Sequence, residues 1–134
     1  MKVMLDTDIC IYLIKNRSEE LRDKFQEYSP GDIGISSITV AELSFGVQKS
    51  AHPEKNEIAL AKFLLPIQVV EFGLDGALEY GKIRAYLETG GIKIGSLDMF
   101  IAAHARSLSL TLVTNNTREF SRVPGLTVQN WLVP

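Results

Sequence analysis

Apolar residues in this chain follow two rhythms. Short apolar runs at residues 2–5, 33–35, 68–72, 110–113 and 126–131 read as strands. Between them, apolar side chains recur every three or four positions, which lines up one face of a helix. The first run, Val3-Met4-Leu5, meets acids at once in Asp6-Thr7-Asp8. A helix is expected directly after it, carried by Ile9, Ile11, Tyr12 and Leu13, with no Gly or Pro before Pro30. A second helix is expected over residues 19–28, with Leu21, Phe25 and Tyr28 on one side, and Ser29-Pro30-Gly31-Asp32 is a turn by composition. Ser36, Ser37 and Thr39 offer N-caps for a third helix over residues 40–49. His52-Pro53 breaks the chain, a fourth helix occupies residues 57–65, and Pro66 ends it.

A longer helix is expected over residues 74–88, with Ala77, Leu78, Ile83 and Leu87 facing inward and Gly90-Gly91 stopping it. Ser96 is placed to cap the next, over residues 97–108, whose small inward residues Ala102 and Ala105 allow close packing on a sheet. Residues 117–120 make a single helical turn, and Val123-Pro124-Gly125 a last reversal. Strands alternating with helical segments predict an α/β fold: one domain over residues 1–134, a central parallel sheet of five short strands, and helices on both faces. There is no repeat and no low-complexity run.

Composition narrows the function classes. The 134 residues are 46% hydrophobic, ordinary for a globular domain. No apolar run approaches the roughly 18 residues of a membrane span. The N-terminus turns acidic too early for a signal peptide, so a cytoplasmic protein without membrane contact is expected. Cys10 stands alone, which excludes a disulfide framework and a thiolate zinc site and leaves a buried structural thiol. The net charge of −2 announces no general nucleic-acid binder, so any phosphate-binding surface must be local.

The acids carry the candidate chemistry. Asp6 ends the first strand, and ligands in open α/β sheets bind beyond such strand ends. Glu42 and Asp98 are each expected in the first turn of a helix that follows a strand or connector, and helix N-termini gather at that same edge. Glu119 and Asp8 are placed to join them. Each acid also has an ordinary structural account. Thr39 and Glu42 match a capping box, Asp98 suits the positive end of a helix dipole, and Asp8 can cap the first helix. Together they are harder to explain, because two carboxylates about 5 Å apart repel by about 3 kcal/mol at an effective dielectric near 20. A cation between them removes that cost. An all-oxygen set without Cys or His suits Mg²⁺ or Mn²⁺, and the chemistry expected with either is hydrolysis of a phosphodiester by water that the ion activates. His52 and His104 fit no catalytic role, and His104 lies mid-helix.

Four segments in order then form a recognisable pattern: Leu5-Asp6-Thr7-Asp8; Ser36-Ser37-Ile38-Thr39-Val40-Ala41-Glu42-Leu43; Asp98-Met99-Phe100-Ile101-Ala102-Ala103-His104-Ala105; and Leu112-Val113-Thr114-Asn115-Asn116-Thr117-Arg118-Glu119-Phe120. Joined by Val123-Pro124-Gly125-Leu126 and Trp131, they make nearly the whole chain resemble a PIN-domain ribonuclease, and more narrowly the VapC toxins of bacterial toxin–antitoxin pairs. The resemblance implies that Asp6, Glu42 and Asp98 hold the metal. Many PIN domains show Thr-x-Asp at the fourth position, where this chain has Asn116, so the fourth acid is Glu119 or is absent. Thr114 matches the family's polar residue beside the site and is suited to hold a water or a phosphate.

The resemblance further implies a Mg²⁺-dependent endoribonuclease acting on structured RNA, tRNA among the targets. It also implies a homodimer and a small cognate VapB-like antitoxin covering the site. Basic residues available to the RNA backbone are Lys15, Arg17, Lys49, Lys82, Arg84, Lys93, Arg118 and Arg122. The apolar Phe45, Val47 and 60–65 region offers a partner surface. Two rival readings stand beside this one. In a catalytically idle PIN-like binding module the acids merely cap helices. In a haloacid-dehalogenase-type phosphatase Asp6 is a nucleophile, but that fold also wants a late lysine and a Gly-Asp-x-x-x-Asp segment, absent after Val113.

Overall fold

A computed structural model describes residues 1–132. Five strands, β1 (Val3–Leu5), β2 (Ile33–Ser36), β3 (Gln68–Val70), β4 (Thr111–Val113) and β5 (Val128–Gln129), form one sheet in the order β3-β2-β1-β4-β5, every neighbouring pair parallel. Seven helices connect them among the described residues: α1 (Thr7–Ile14), α2 (Glu19–Gln26), α3 (Ser37–Gln48), α4 (Pro53–Leu64), α5 (Leu74–Thr89), α6 (Ser96–Ser107) and α7 (Thr117–Phe120).

The pleat of β1 divides the core in two. Val3 and Leu5 pack with Ile9, Cys10, Leu21, Leu43 and Leu60 on the face covered by α1 to α4. Met4 points the other way, onto Ile83, Leu87, Ile101 and Phe120 from α5 to α7. Each such side chain, fully withdrawn from water, contributes about 1.5–3 kcal/mol. Leu5 and Met4 have no exposed surface, so cutting Leu5 back to alanine costs about 2–5 kcal/mol through lost burial and the cavity left. The expected five-stranded parallel sheet with helices on both faces is what forms.

The chain works outward from β1 through β2 to β3, then returns past β1 to β4. The strand order therefore reverses between β1 and β4, and the crevice beyond their C-terminal ends is the topological switch point. Leu5 pairs with Val113 there, and the Asp6 amide donates to the Val113 carbonyl at 3.0 Å. Asp6 and Thr114 are thus neighbours across the two strand ends.

Several boundaries differ from the sequence expectation. Helix α3 begins at Ser37 rather than at residue 40, because Ser36 caps it, its Oγ accepting from the Ile38 amide at 3.1 Å. Thr39 is then inside the helix, and Glu42 lies in its second turn, which removes the capping-box account of that pair. Helix α6 is capped by Gly95, with Ser96 its first residue rather than its cap. Asp6, not Asp8, caps α1. Helix α4 starts at Pro53, which needs no amide partner in the first turn. In α5 the inward stripe is Gly76, Ile83 and Leu87, while Ala77 and Leu78 are exposed. The last strand is reduced to Val128–Gln129, although Trp131 is buried and stacks on Tyr28 at 5.1 Å. Among the described residues, no helix is long and apolar enough to cross a membrane.

Candidate metal centre

Asp6 is 4% exposed, and both its oxygens are held. Oδ1 accepts from the Ile9 amide at 2.9 Å and closes the first turn of α1. Oδ2 accepts from the Thr114 hydroxyl, whose oxygen in turn accepts from the Asn116 amide at 2.9 Å. Thr114 is therefore a positioning residue for the central acid. Burial raises the Asp6 carboxyl to about 6, against the bonds from Thr114 and Ile9, and the charges of Asp8 and Glu42 push the same way as burial.

Glu42 reaches the same edge from α3. Its Oε1 accepts from the Thr7 hydroxyl at 2.7 Å, and Thr7 Oγ1 lies 3.3 Å from Thr39 Oγ1. One buried threonine, one half-buried threonine and the glutamate thus link the starts of α1 and α3. Thr7 escaped the sequence reading. Its only signal there was its place between two acids at a strand end; its partner lies 35 residues away.

Asp98, in the first turn of α6, lies beside Glu119. Burial first, then the neighbouring Glu119 and the charges of Asp6 and Glu42, raise the Asp98 carboxyl to about 7. Glu119 is tied down by two donors, the Gly95 amide to Oε1 at 3.1 Å and Asn116 Nδ2 to Oε2 at 2.6 Å. Asn116 accepts back from the Glu119 amide, capping α7. Gly95 was not singled out by sequence, yet a Cβ there would stand 3.3 Å from Asp98 Oδ2, so glycine leaves room for the acid to sit against the turn.

All six expected residues, Asp6, Glu42, Asp98, Thr114, Asn116 and Glu119, therefore meet at one edge of the sheet, delivered by four separate segments. Among the described residues, no three acidic, histidine or cysteine side chains already close around a single ion. The reason is that the carboxylates lean on internal donors: Asp6 on Thr114 and Ile9, Glu42 on Thr7, Glu119 on Gly95 and Asn116. Mg²⁺ demands less than a closed cage, since it is held by one or two carboxylates and keeps several waters. An all-oxygen set with two carboxyls raised by burial first and by neighbouring charge second fits such an ion, and binding would displace protons from them.

The remaining chemistry-bearing groups fall outside this centre. His104 is buried, with Nδ1 2.8 Å from Ser36 Oγ, and burial lowers its basicity, so it is a neutral strut between α6 and the end of β2. Cys10 is buried and burial pushes its thiol well up, as expected for a structural cysteine.

Comparison with known proteins places the chain in a family. The family model for the PIN domain matches residues 3–126. The chain is 44% identical over 131 residues to the tRNA(fMet)-specific endonuclease VapC of Shigella flexneri, covering 98% of both. It is 45% identical over 132 residues to the ribonuclease VapC2 of Haemophilus influenzae, covering 98% of this chain and 99% of that one. Among solved structures, DNA-bound VapBC from Salmonella typhimurium superposes with a TM-score of 0.94 at 41% identity over 98% of both chains. VapBC2 from Rickettsia felis, bound to a DNA fragment from its promoter, gives 0.92 at 39% identity, covering 98% and 99%. With four acids assembled at the switch point of a 3-2-1-4-5 parallel sheet and full-length likeness of this order, the chain belongs to the PIN-domain family, on its VapC ribonuclease branch.

Proposed function

We propose that the chain is the toxin of a toxin–antitoxin pair, an endoribonuclease that cuts tRNA in the cytoplasm and is silenced by a VapB-like antitoxin. The observation that carries this reading is the convergence of Asp6, Glu42, Asp98 and Glu119 on one edge of the sheet, near enough for their charges to add to burial in raising the Asp98 carboxyl to about 7. Evolution of a stable fold gives no reason to keep acids so close; a site for a divalent ion does. An idle module whose acids only cap helices does not account for Glu42, which takes its bond from Thr7, or for Asp98, which makes no cap bond.

Asp6, Asp98 and Glu42 would hold Mg²⁺ or Mn²⁺, and the ion would supply an activated water and stabilise charge on the leaving oxygen. The chain's own part is positional. Thr114 fixes Asp6, Thr7 fixes Glu42, and the Asn116–Glu119 pair anchors α7 against the start of α6. Lys15, Lys93, Arg118 and Arg122 form no ion pair among the described residues and are free for phosphate, whereas Lys82 and Arg84 are engaged by Glu79 and Glu88. For partners, Phe45 on α3, Ile58 on α4 and Leu65 just after α4 expose apolar surface and suit the antitoxin, while Leu60 is core. Leu74, Leu78 and Tyr86 form a second exposed stripe on α5 that suits a homodimer.

The test is cleavage of tRNA by purified protein with Mg²⁺ or Mn²⁺, against Asp6→Asn and Asp98→Asn. Each variant is expected to lose activity by at least about a hundredfold while its circular dichroism stays native. Full activity in both would reject the site.

A further inference from the structure

Beside the acidic centre lies a separate cavity of about 240 Å³, lined by Asp8, Ile11, Tyr12, Arg17 and Asn115. It opens at the same edge: Asp8 stands two residues after Asp6, and Asn115 directly follows Thr114. Drug-sized ligands occupy pockets of about 300–1,000 Å³, so this one suits a single flat ring system. Its lining is chemically mixed. The Arg17 guanidinium lies 5.9 Å from the centre of the Tyr12 ring, giving two planar surfaces. Asp8 is exposed and is spared from capping, because Asp6 takes the Ile9 amide. Asn115 accepts from Asn130 through Oδ1 at 3.5 Å, which leaves its Nδ2 free to donate. The α1 terminus that brings Arg17 back over Tyr12 is fixed by Asn16 at φ 51° and by the Arg17 amide bonding the Tyr12 carbonyl at 3.0 Å.

We propose that this cavity is a subsite for an unpaired guanine of the RNA, next to the phosphate that is cut. The proposal rests on the nuclease reading for its substrate and adds a base preference to it. Single-stranded RNA is read by stacking bases on aromatic rings or guanidinium planes and by hydrogen bonds to their Watson–Crick edges. Tyr12 and Arg17 supply the stacking surface. A carboxylate only accepts, and guanine alone among the four bases presents two adjacent donors, N1–H and N2–H₂, to it. Adenine and cytosine offer one amino group beside an acceptor, and uracil a single N–H between two acceptors. Asn115 Nδ2 then supplies an in-plane donor for guanine O6. Asp8 repels phosphate, which keeps the backbone on the metal side and turns the base toward α1.

Two measurements on the full chain test this. The first is cleavage of short RNAs carrying guanosine, or inosine lacking the N2 amine, at each position around the cut. The second is fluorescence anisotropy of the same RNAs in Ca²⁺, an ion that bridges carboxylates and phosphate. Guanosine at one position should lower KM and tighten binding by at least about fivefold over inosine, and Asp8→Asn should remove the difference. Arg17→Ala should raise KM while kcat falls less. Cleavage without any guanosine-over-inosine preference, or a preference untouched by Asp8→Asn, overturns the subsite and leaves the nuclease standing. Binding discrimination without cleavage supports the subsite and overturns the nuclease.

Discussion

Thr7 shows how much a single hydroxyl can decide. Glu42 reaches the acidic edge from the second turn of α3, where nothing in its own helix holds it; the Thr7 proton does so at 2.7 Å. A hydrogen bond to a charged group contributes about 1.5–3 kcal/mol, equivalent to a factor of about ten or more in an equilibrium constant. Thr7→Val keeps the shape and removes the donor. Its Mn²⁺ affinity, read by calorimetry, should fall about tenfold, and Thr7→Ser should restore most of it. Unchanged affinity in the valine variant would mean that Glu42 needs no fixing. The acids themselves were legible in the sequence because strand ends and helix starts announce one edge of a parallel sheet. Thr7 and Gly95 were not, because a threonine and a glycine near turns have many ordinary uses, and only the third dimension brings them to Glu42 and Asp98.

Helix α3 illustrates the same limit for elements. Its existence was plain, but Ser36, Ser37 and Thr39 all offered a cap, and local chemistry does not choose among them. The choice is tertiary: Ser36 Oγ caps the helix and also meets His104 Nδ1 at 2.8 Å, joining α3 to α6 through the buried ring. Ser36→Ala therefore removes a cap and strands a buried imidazole. It should lower stability by about 2–3 kcal/mol in urea unfolding, more than a cap alone. A loss under about 1 kcal/mol would show the His104 contact to be idle. The inward stripe of α5 is hidden in the sequence for another reason. Apolar residues surround it, so the period could not say which stripe faces inward, and the packing selects Gly76, Ile83 and Leu87 over Leu78.

For the whole molecule, buried acids set the pH response and an exposed apolar stripe sets assembly. Carboxyls raised in the folded state hold protons that the unfolded chain releases above its ordinary value near 3.8. Their contribution to stability is therefore fully present below about pH 4 and lost as pH rises through about 6 and 7. Nearly buried Asp6 accounts for about 3 kcal/mol of that loss, and half-exposed Asp98 for less. Without metal, the Tm should fall by several degrees between about pH 5 and pH 8, and Mg²⁺ should restore more at the upper end. A Tm that climbs over that interval would mean the acids are not forced together. The exposed α5 stripe makes a second whole-molecule prediction. Leu78, 58% exposed, should anchor self-association, and Leu78→Glu should shift the protein to monomer in light scattering with little change in Tm. A last consequence follows from the pairing of Asp6 with Thr114, 108 residues further on. While a ribosome is still translating the message, the nascent polypeptide has its first acid but no clamp for it, and Asp98 and Glu119 arrive just as late. The acidic edge of a nascent chain is thus left incomplete until synthesis is nearly finished.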